Sequence, residues 1–381
     1  MTAREEILMI LKMVQDGKIS NEDAAKLIDA IEAKGGESKK NEHSYKYTQY
    51  NTREKKTGKK KSFDEKMEEM AEGLENMVSD IVGSTKEAFS NFSDIDPGNW
   101  FNTAEKRHYS YSASENMKLE IMGKNGSVRL LPGEDKINVV YSIYTKQDVE
   151  EVMKLVDVRS SDGELFIDAS GVDGGISMEI RIPAVHYKYL KAATRNGSLR
   201  CCPVDADEVE LKTKNGSLKL EGVKSPVIKA NTKNGSITCK GCKADKAGVE
   251  TSNGSIIVQE SEFTLLDCNT TNGSIRCNDS KSDSIEANTS NASISMEDFD
   301  LVGTKGIMNL KTSNGNIRIR IPNDIGAMFK AQAGRHGRVT VNFPCSINKH
   351  MEYEGKTEGF DSAQRKINIT AKTNLGRIDI S

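Results

Sequence analysis

Over most of the chain apolar side chains fall on every second position in short runs, and each run ends in a cluster of Asn, Gly and Ser. In IKANTKNGSITCK, Ile228, Ala230 and Thr232 share one face and Ile237 and Cys239 the next. That period is the period of strands with one side buried. The run also repeats. Asn196, Asn215, Asn234, Asn253, Asn272 and Asn291 stand nineteen residues apart, each in a version of T-x-N-G-S-I, and Asn314 follows after a slightly longer interval. Weaker copies read KNGSVRL from Lys124 and TNLGRIDI from Thr373.

A nineteen-residue unit of two or three short strands cannot close a core alone, whereas stacked units bury one continuous column. The pattern therefore predicts a mainly β fold: a single-stranded β-solenoid of about 19-residue coils with T-x-N-G-S corners. Its hand is left open. Coils about 4.8 Å apart place the Thr and Asn of each unit over those of the next. Asn tolerates left-handed backbone angles, glycine adopts them without steric cost, and a stacked Asn amide can bond along the ladder. Gly216, Gly235, Gly254 and Gly273 are thus read as geometric requirements, and Ala292, where the glycine is replaced, predicts a strained or rebuilt corner.

The flanks are less regular. Residues 136–144 and 177–183 read as strands around a charged helical run, DVEEVMKLV, from Asp148, and residues 322–381 alternate likewise. They read as irregular coils or as covers for the solenoid ends, where open strand edges invite aggregation. The solenoid domain is assigned to residues 105–381.

Before it the periodicity changes. Ile7, Leu8, Ile10, Leu11 and Val14 recur at helical spacing, Asp16-Gly17-Lys18 interrupts, and Ser20 with Asp23 then resembles the start of a second helix carrying Ala24, Leu27, Ile28 and Ile31. Residues 1–34 are read as a helical hairpin, too small for a core of its own and so in need of a partner. Residues 35–61 lose all period and are rich in Lys and Arg, a flexible basic linker. Residues 62–92 return to helix, with Phe63, Met67, Met70, Leu74, Met77 and Ile81 forming an apolar interaction seam on an otherwise acidic element. Core or coiled-coil packing is the plainer reading of that seam and a ligand groove the sharper one.

The net charge of −2 over 381 residues gives no nucleic-acid footprint, although the linker, with Tyr45, Tyr47 and Tyr50 interleaved, could hold an anionic lipid or nucleic acid at low salt. No apolar run is long enough to span a bilayer, and the first residues lack a signal-peptide pattern, so a cytoplasmic or peripherally envelope-associated location is expected. Seven cysteines, an odd count spread through the strand region, suit free buried thiols in a reducing compartment.

Catalytic chemistry finds little support. Cys239 and Cys242 have the spacing of half a zinc site or a redox pair, but Cys239 takes the place that Leu220, Val258, Cys277 and Met296 take in other units, which makes it a core residue. Cys201 and Cys202 cannot both face inward in a strand, so one is expected to be exposed. The repeated N-G-S matches a glycosylation acceptor, yet turn geometry accounts for it. His43, His108, His186, His336 and His350 are scattered without a triad or metal spacing. No residue is assigned a catalytic, cofactor-binding or metal-ligating role.

The T-x-N-G-S-I repeats, the IRIP run at residues 180–183 and the closing TNLGRIDI resemble the bacterial "putative-adhesin" family of β-strand repeats, a domain of unknown function. ILKMVQDGKISNEDAAKLIDAI, from Ile10, is similar to the short helical domain that precedes this repeat in YvlB-like and LiaX-like proteins of Gram-positive bacteria. The resemblance implies a role in the cell-envelope stress response, with the helical part meeting antimicrobial peptides or membrane and the repeat meeting a membrane-bound regulator. It supplies no catalytic residue. The expected function is a non-enzymatic scaffold with a helical recognition module and a protein-binding solenoid face. The alternatives are a cytoplasmic self-assembling homo-oligomer and, third, a polysaccharide-active β-helix enzyme.

Overall fold

Residues 104–145, 147–335, 337–343, 345–348 and 352–381 are described by a computed structural model. The helical hairpin, the basic linker and the acidic helix with its Phe63–Met67–Met70–Leu74–Met77–Ile81 seam lie outside the described residues.

Alternation of buried and exposed positions along each short run makes the described region a β-solenoid. A regular coil gives one strand to each of two sheets, which hold 13 and 16 strands. In the first sheet Leu218–Glu221, Ile237–Lys240, Ile256–Gln259, Ile275–Asn278 and Ile294–Glu297 pair in parallel with a nineteen-residue register. The register stacks like on like: Leu218, Ile237, Ile256, Ile275 and Ile294 form one buried column, and Leu220, Cys239, Val258, Cys277 and Met296 the next. Ile228, Ala247, Leu266 and Ile285 form a matching column in the second sheet. Each such side chain touches its own kind above and below, the contact on which sheet stabilisation rests.

Each coil turns twice, and only one turn is the Asn-Gly corner. At the other, Gly222, Gly241, Glu260, Asp279 and Asp298 repeat every nineteen residues with φ between 48° and 65°, the left-handed conformation. Two glycines and three acidic residues fill one geometric role, so this corner has no sequence motif. Beyond it runs a buried column of hydroxyls: Ser280 Oγ accepts from the Ser261 amide, and Ser261 Oγ accepts from the Cys242 amide and donates to the Gln259 carbonyl.

The coils do not stack in chain order at the ends. The coil of Met117–Met122 and Val128–Pro132 lies between the coil of Glu164–Asp168 and Gly175–Ile182 and that of His186–Ala193 and Leu199–Cys201. At the opposite end Arg365–Thr373 and Arg377–Ile380 slot between Lys305–Thr312 with Ile317–Ile319 and Ile325–Ala333 with Arg338–Val341. The weak copies at Lys124 and Thr373 are therefore true coils of the stack. Antiparallel strands then cover parts of the ends: Lys136–Tyr144 and Ala104–Ser112 at one, Glu352–Thr357 and Cys345–Asn348 at the other. The charged run from Asp148 is helical at Val149–Met153, capped by the Asp148 carboxylate, which accepts from the Glu150 and Glu151 amides.

Candidate functional site

The Asn-Gly corner is the most regular edge of the molecule. Asn196 Nδ2 donates to Asn125 Oδ1, and the relay continues through Asn215, Asn234, Asn253, Asn272 and Asn291, each bond 2.7 Å long. Asn314 joins at 2.9 Å although its coil is longer. One residue type thus forms an eight-member amide ladder, seven members of which the repeat had marked. Sequence spacing alone did not link Asn125, because its neighbour Asn196 lies 71 residues away.

The corner glycines fill a geometric role, but not the expected one. Gly216, Gly235, Gly254 and Gly273 are not left-handed, and neither are the corner asparagines. Instead the coils approach so closely that a Cβ on Gly216, Gly235 or Gly254 would sit 2.0–2.1 Å from the glycine carbonyl oxygen of the preceding coil, and one on Gly273 1.8 Å from it. That same carbonyl oxygen is held from inside the coil: Thr213, Thr232, Thr251 and Thr270 each donate Oγ1–H to it at 2.9 Å. The motif is therefore one lock, with Thr donating, Gly yielding space and Asn bridging outside. At Ala292 the expected break in the corner does not occur. Asn291 still donates to Asn272 at 2.7 Å, and Thr312 donates to the Ala292 carbonyl at 2.8 Å.

The second sheet offers a different surface. Its outward positions Lys229, Gly248 and Asp267 are direct neighbours across three coils, and a Cβ at Gly248 would meet nothing within 4 Å. The missing side chain leaves a depression of about 430 Å³ bordered by Lys229, Asn231, Lys246, Glu250 and Asn269. Partial burial raises the Asp267 carboxyl above its ordinary range, while a hydrogen bond from Asn269 opposes that shift. Leu265 stands beside Lys246 and is 38% exposed, giving the rim an apolar contact.

Cys201, Cys202, Cys239, Cys242, Cys268 and Cys277 are buried. Cys239 occupies the inward column, and a hydrogen bond with Cys242, followed by burial, holds its thiol protonated. Cys201 is pushed up by burial in the same way. The expectation that Cys201 or Cys202 is exposed is overturned, since both are buried. Alternation ceases where the strand Leu199–Cys201 ends, and Cys202 turns into the corner with its amide on the Leu130 carbonyl. His186 bridges two carboxylates that sequence reading did not join to it: Nδ1 lies 2.8 Å from Asp205 and Nε2 3.0 Å from Asp207. Those hydrogen bonds raise its pKa. Asp205 lies nineteen residues on, a signal the repeat itself carried.

Among the described residues no group of three or more His, Cys, Asp or Glu is placed to hold a metal ion, and no helix is long and apolar enough to cross a membrane.

The family model described as Toastrack DUF4097 matches residues 116–381, and a SHOCT-like domain model matches residues 5–36. No curated protein matches the chain. Similar solved structures include a "putative cell adhesion protein" from Clostridium sporogenes, 13% identical, covering 73% of this chain and 99% of that one at a TM-score of 0.21. Another is a "putative lipid binding protein" from Parabacteroides distasonis, 13% identical, covering 74% and 98% at a TM-score of 0.42. A third is a "putative adhesin" from Bacteroides fragilis, 11% identical, covering 73% and 97% at a TM-score of 0.30. At such scores the family match, and not these likenesses, carries the assignment.

Proposed function

We propose, for a chain that belongs to the Toastrack DUF4097 family, the role of a non-catalytic binding scaffold in the cell-envelope stress response. Its N-terminal helical part, residues 1–34, recognises a peptide, a membrane surface or a partner, and the acidic element 62–92 offers the seam of Phe63, Met67, Met70, Leu74, Met77 and Ile81. The solenoid presents the outer face of its second sheet to a protein regulator. The observation that carries this reading is the depression at Gly248 on a face whose backbone is fixed by parallel pairing on both sides. A preformed surface binds without losing the freedom that a mobile loop would lose on ordering.

A photo-crosslinking side chain at position 248 tests the face, because the site has room for it. In native cells it is expected to capture a discrete protein that the same probe at Lys219, on the other sheet, does not. Identical products from both positions, or none from 248, contradict the reading. Flotation with anionic liposomes tests the helical part: full-length protein is expected to float and residues 105–381 to remain below. Equal behaviour of the two removes the membrane-recognition role from the N-terminal segment.

A further inference from the structure

Cross-coil charge pairing is common on this solenoid. Lys229 meets Glu208, Lys243 meets Glu262, Arg200 meets Glu221, and Lys240 meets Glu260 at 2.7–3.2 Å. The Asn-Gly edge departs from that practice over three consecutive coils. Lys124, before Asn125, is answered by Asp173 at 2.6 Å, but the residues before the next three ladder asparagines are Arg195, Lys214 and then Lys233, and their backbones stack directly: the Lys214 amide donates to the Arg195 carbonyl and the Asn234 amide to the Lys214 carbonyl. All three side chains are exposed, and among the described residues none of them forms an ion pair. Farther along the same column stand Ser252, Thr271, Ser290 and Ser313, which are neutral. Like charges on adjacent rungs repel, so the arrangement is unfavourable until an anion lies across it.

The amide ladder points the same way. In every rung the Nδ2 of the later coil donates to the Oδ1 of the earlier one, so the side-chain dipoles align and each polarises the next. Their positive end is at Asn125, where no protein acceptor takes the amide hydrogens among the described residues. That end is the end at which the three cations sit. Beside them Ser198 Oγ accepts from the Ser217 amide, which leaves its hydroxyl hydrogen for an outside acceptor.

From these observations we propose that this edge binds a linear phosphate polymer laid along the solenoid axis, with Arg195, Lys214 and Lys233 meeting successive anionic groups. Three rungs span roughly 10 Å, and the long side chains adapt to the spacing of the ligand. A base-free chain, such as polyphosphate or a polyol phosphate, fits better than nucleic acid. Single-stranded nucleic acid is held by aromatic platforms as well as by charge, and the exposed aromatics among the described residues, Tyr109 and Tyr353, lie on the end strands Ala104–Ser112 and Glu352–Thr357.

Because the full chain also carries the basic residues 35–61, the test must resolve position. Amine-reactive footprinting of the full-length protein, read by mass spectrometry, is performed with and without long-chain inorganic polyphosphate at about 100 mM salt, where exposed charges are screened beyond roughly 10 Å. Lys214 and Lys233 are expected to be protected at least fivefold, and Lys305, Lys311 and Lys372 on the second sheet less than twofold. Arg195→Gln is expected to reduce the protection of Lys214 without altering the fold, since its side chain is exposed. Absence of protection at Lys214 and Lys233, or equal protection of all five lysines, overturns the proposal. An oligothymidylate of equal charge is expected to protect more weakly, and stronger protection by it would assign the edge to nucleic acid and overturn the phosphate-polymer assignment.

Discussion

The two turns of each coil reverse the same chain over the same core, yet one is built from contacts between coils and the other from backbone conformation. At the Asn-Gly corners from Gly197 to Gly273 no glycine or asparagine has a positive φ, and the residue types follow from how closely the next coil approaches. At the opposite corner the left-handed angle of Gly222, Gly241, Glu260, Asp279 and Asp298 makes the turn within a single coil. A turn defined by its neighbours leaves a strict motif, because every copy meets the same neighbour. A turn defined by one backbone angle accepts any residue that can bear that angle.

The sharpest way to break this contrast is at Gly254. Gly254→Val is expected to destabilise by about 3 kcal/mol or more, since its Cβ would lie 2.0 Å from a backbone oxygen. Gly248→Ala, in the same coil, is expected to stay within about 0.5 kcal/mol of the parent or to gain, because its Cβ meets nothing. Denaturant midpoints measure both, and similar values would mean that close approach does not explain the corner. Ala292 shows that one methyl group can be accommodated in such a turn, which is why the β-branched valine is the decisive substitution.

Thr232→Val should cost about 1–2 kcal/mol by leaving the Gly216 carbonyl without its buried donor. Ser at the same position should recover most of the loss. If Val and Ser behave alike, packing and not the hydrogen bond fixes the corner. At the other turn the sign reverses. Glu260→Gly removes the side chain from a left-handed residue and is expected to stabilise by about 0.5–1 kcal/mol after the entropy cost of glycine. Destabilisation there would show that Glu260 contributes more through Lys240, 3.2 Å away, than its backbone angle costs.

The smallest effect concerns His186, just past the second corner. Its pKa is raised by hydrogen bonds with Asp205 and then Asp207, so the imidazolium stabilises the folded state. That contribution is complete below the ordinary histidine value near about 6.5 and disappears as pH rises through the raised folded value. The ring is exposed, and the gain is correspondingly slight. Titration of the His186 ring by NMR is expected to give a midpoint above that of Asp205→Asn. Coincident midpoints would remove the coupling.

How much of this was legible in the sequence follows from the same contrast. The Asn ladder and the column through Cys239 could be read, because direct stacking copies residue types from coil to coil. The role of the corner glycine was read from its usual conformational freedom, whereas the neighbouring carbonyl that excludes a Cβ is visible only once the coils are stacked. The left-handed turn was missed because Glu260 and Asp279 do not look like Gly241. The inward turn of Cys202 was missed because alternation applies only while the strand lasts. The repeat marked coils but not their order, so the pairing of Asn125 with Asn196 and the place of residues 365–380 were beyond its reach.

That last placement has a consequence for assembly. A rod stacked in chain order could lengthen as synthesis proceeds, each new coil settling on the one before. Here Ile325–Ala333 reaches its parallel partner only after Arg365–Thr373 has emerged and inserted between it and Lys305–Thr312. The final rungs must close like a drawer, not like a growing spiral, and until they do both flanking strands keep an open hydrogen-bonding edge in the cell.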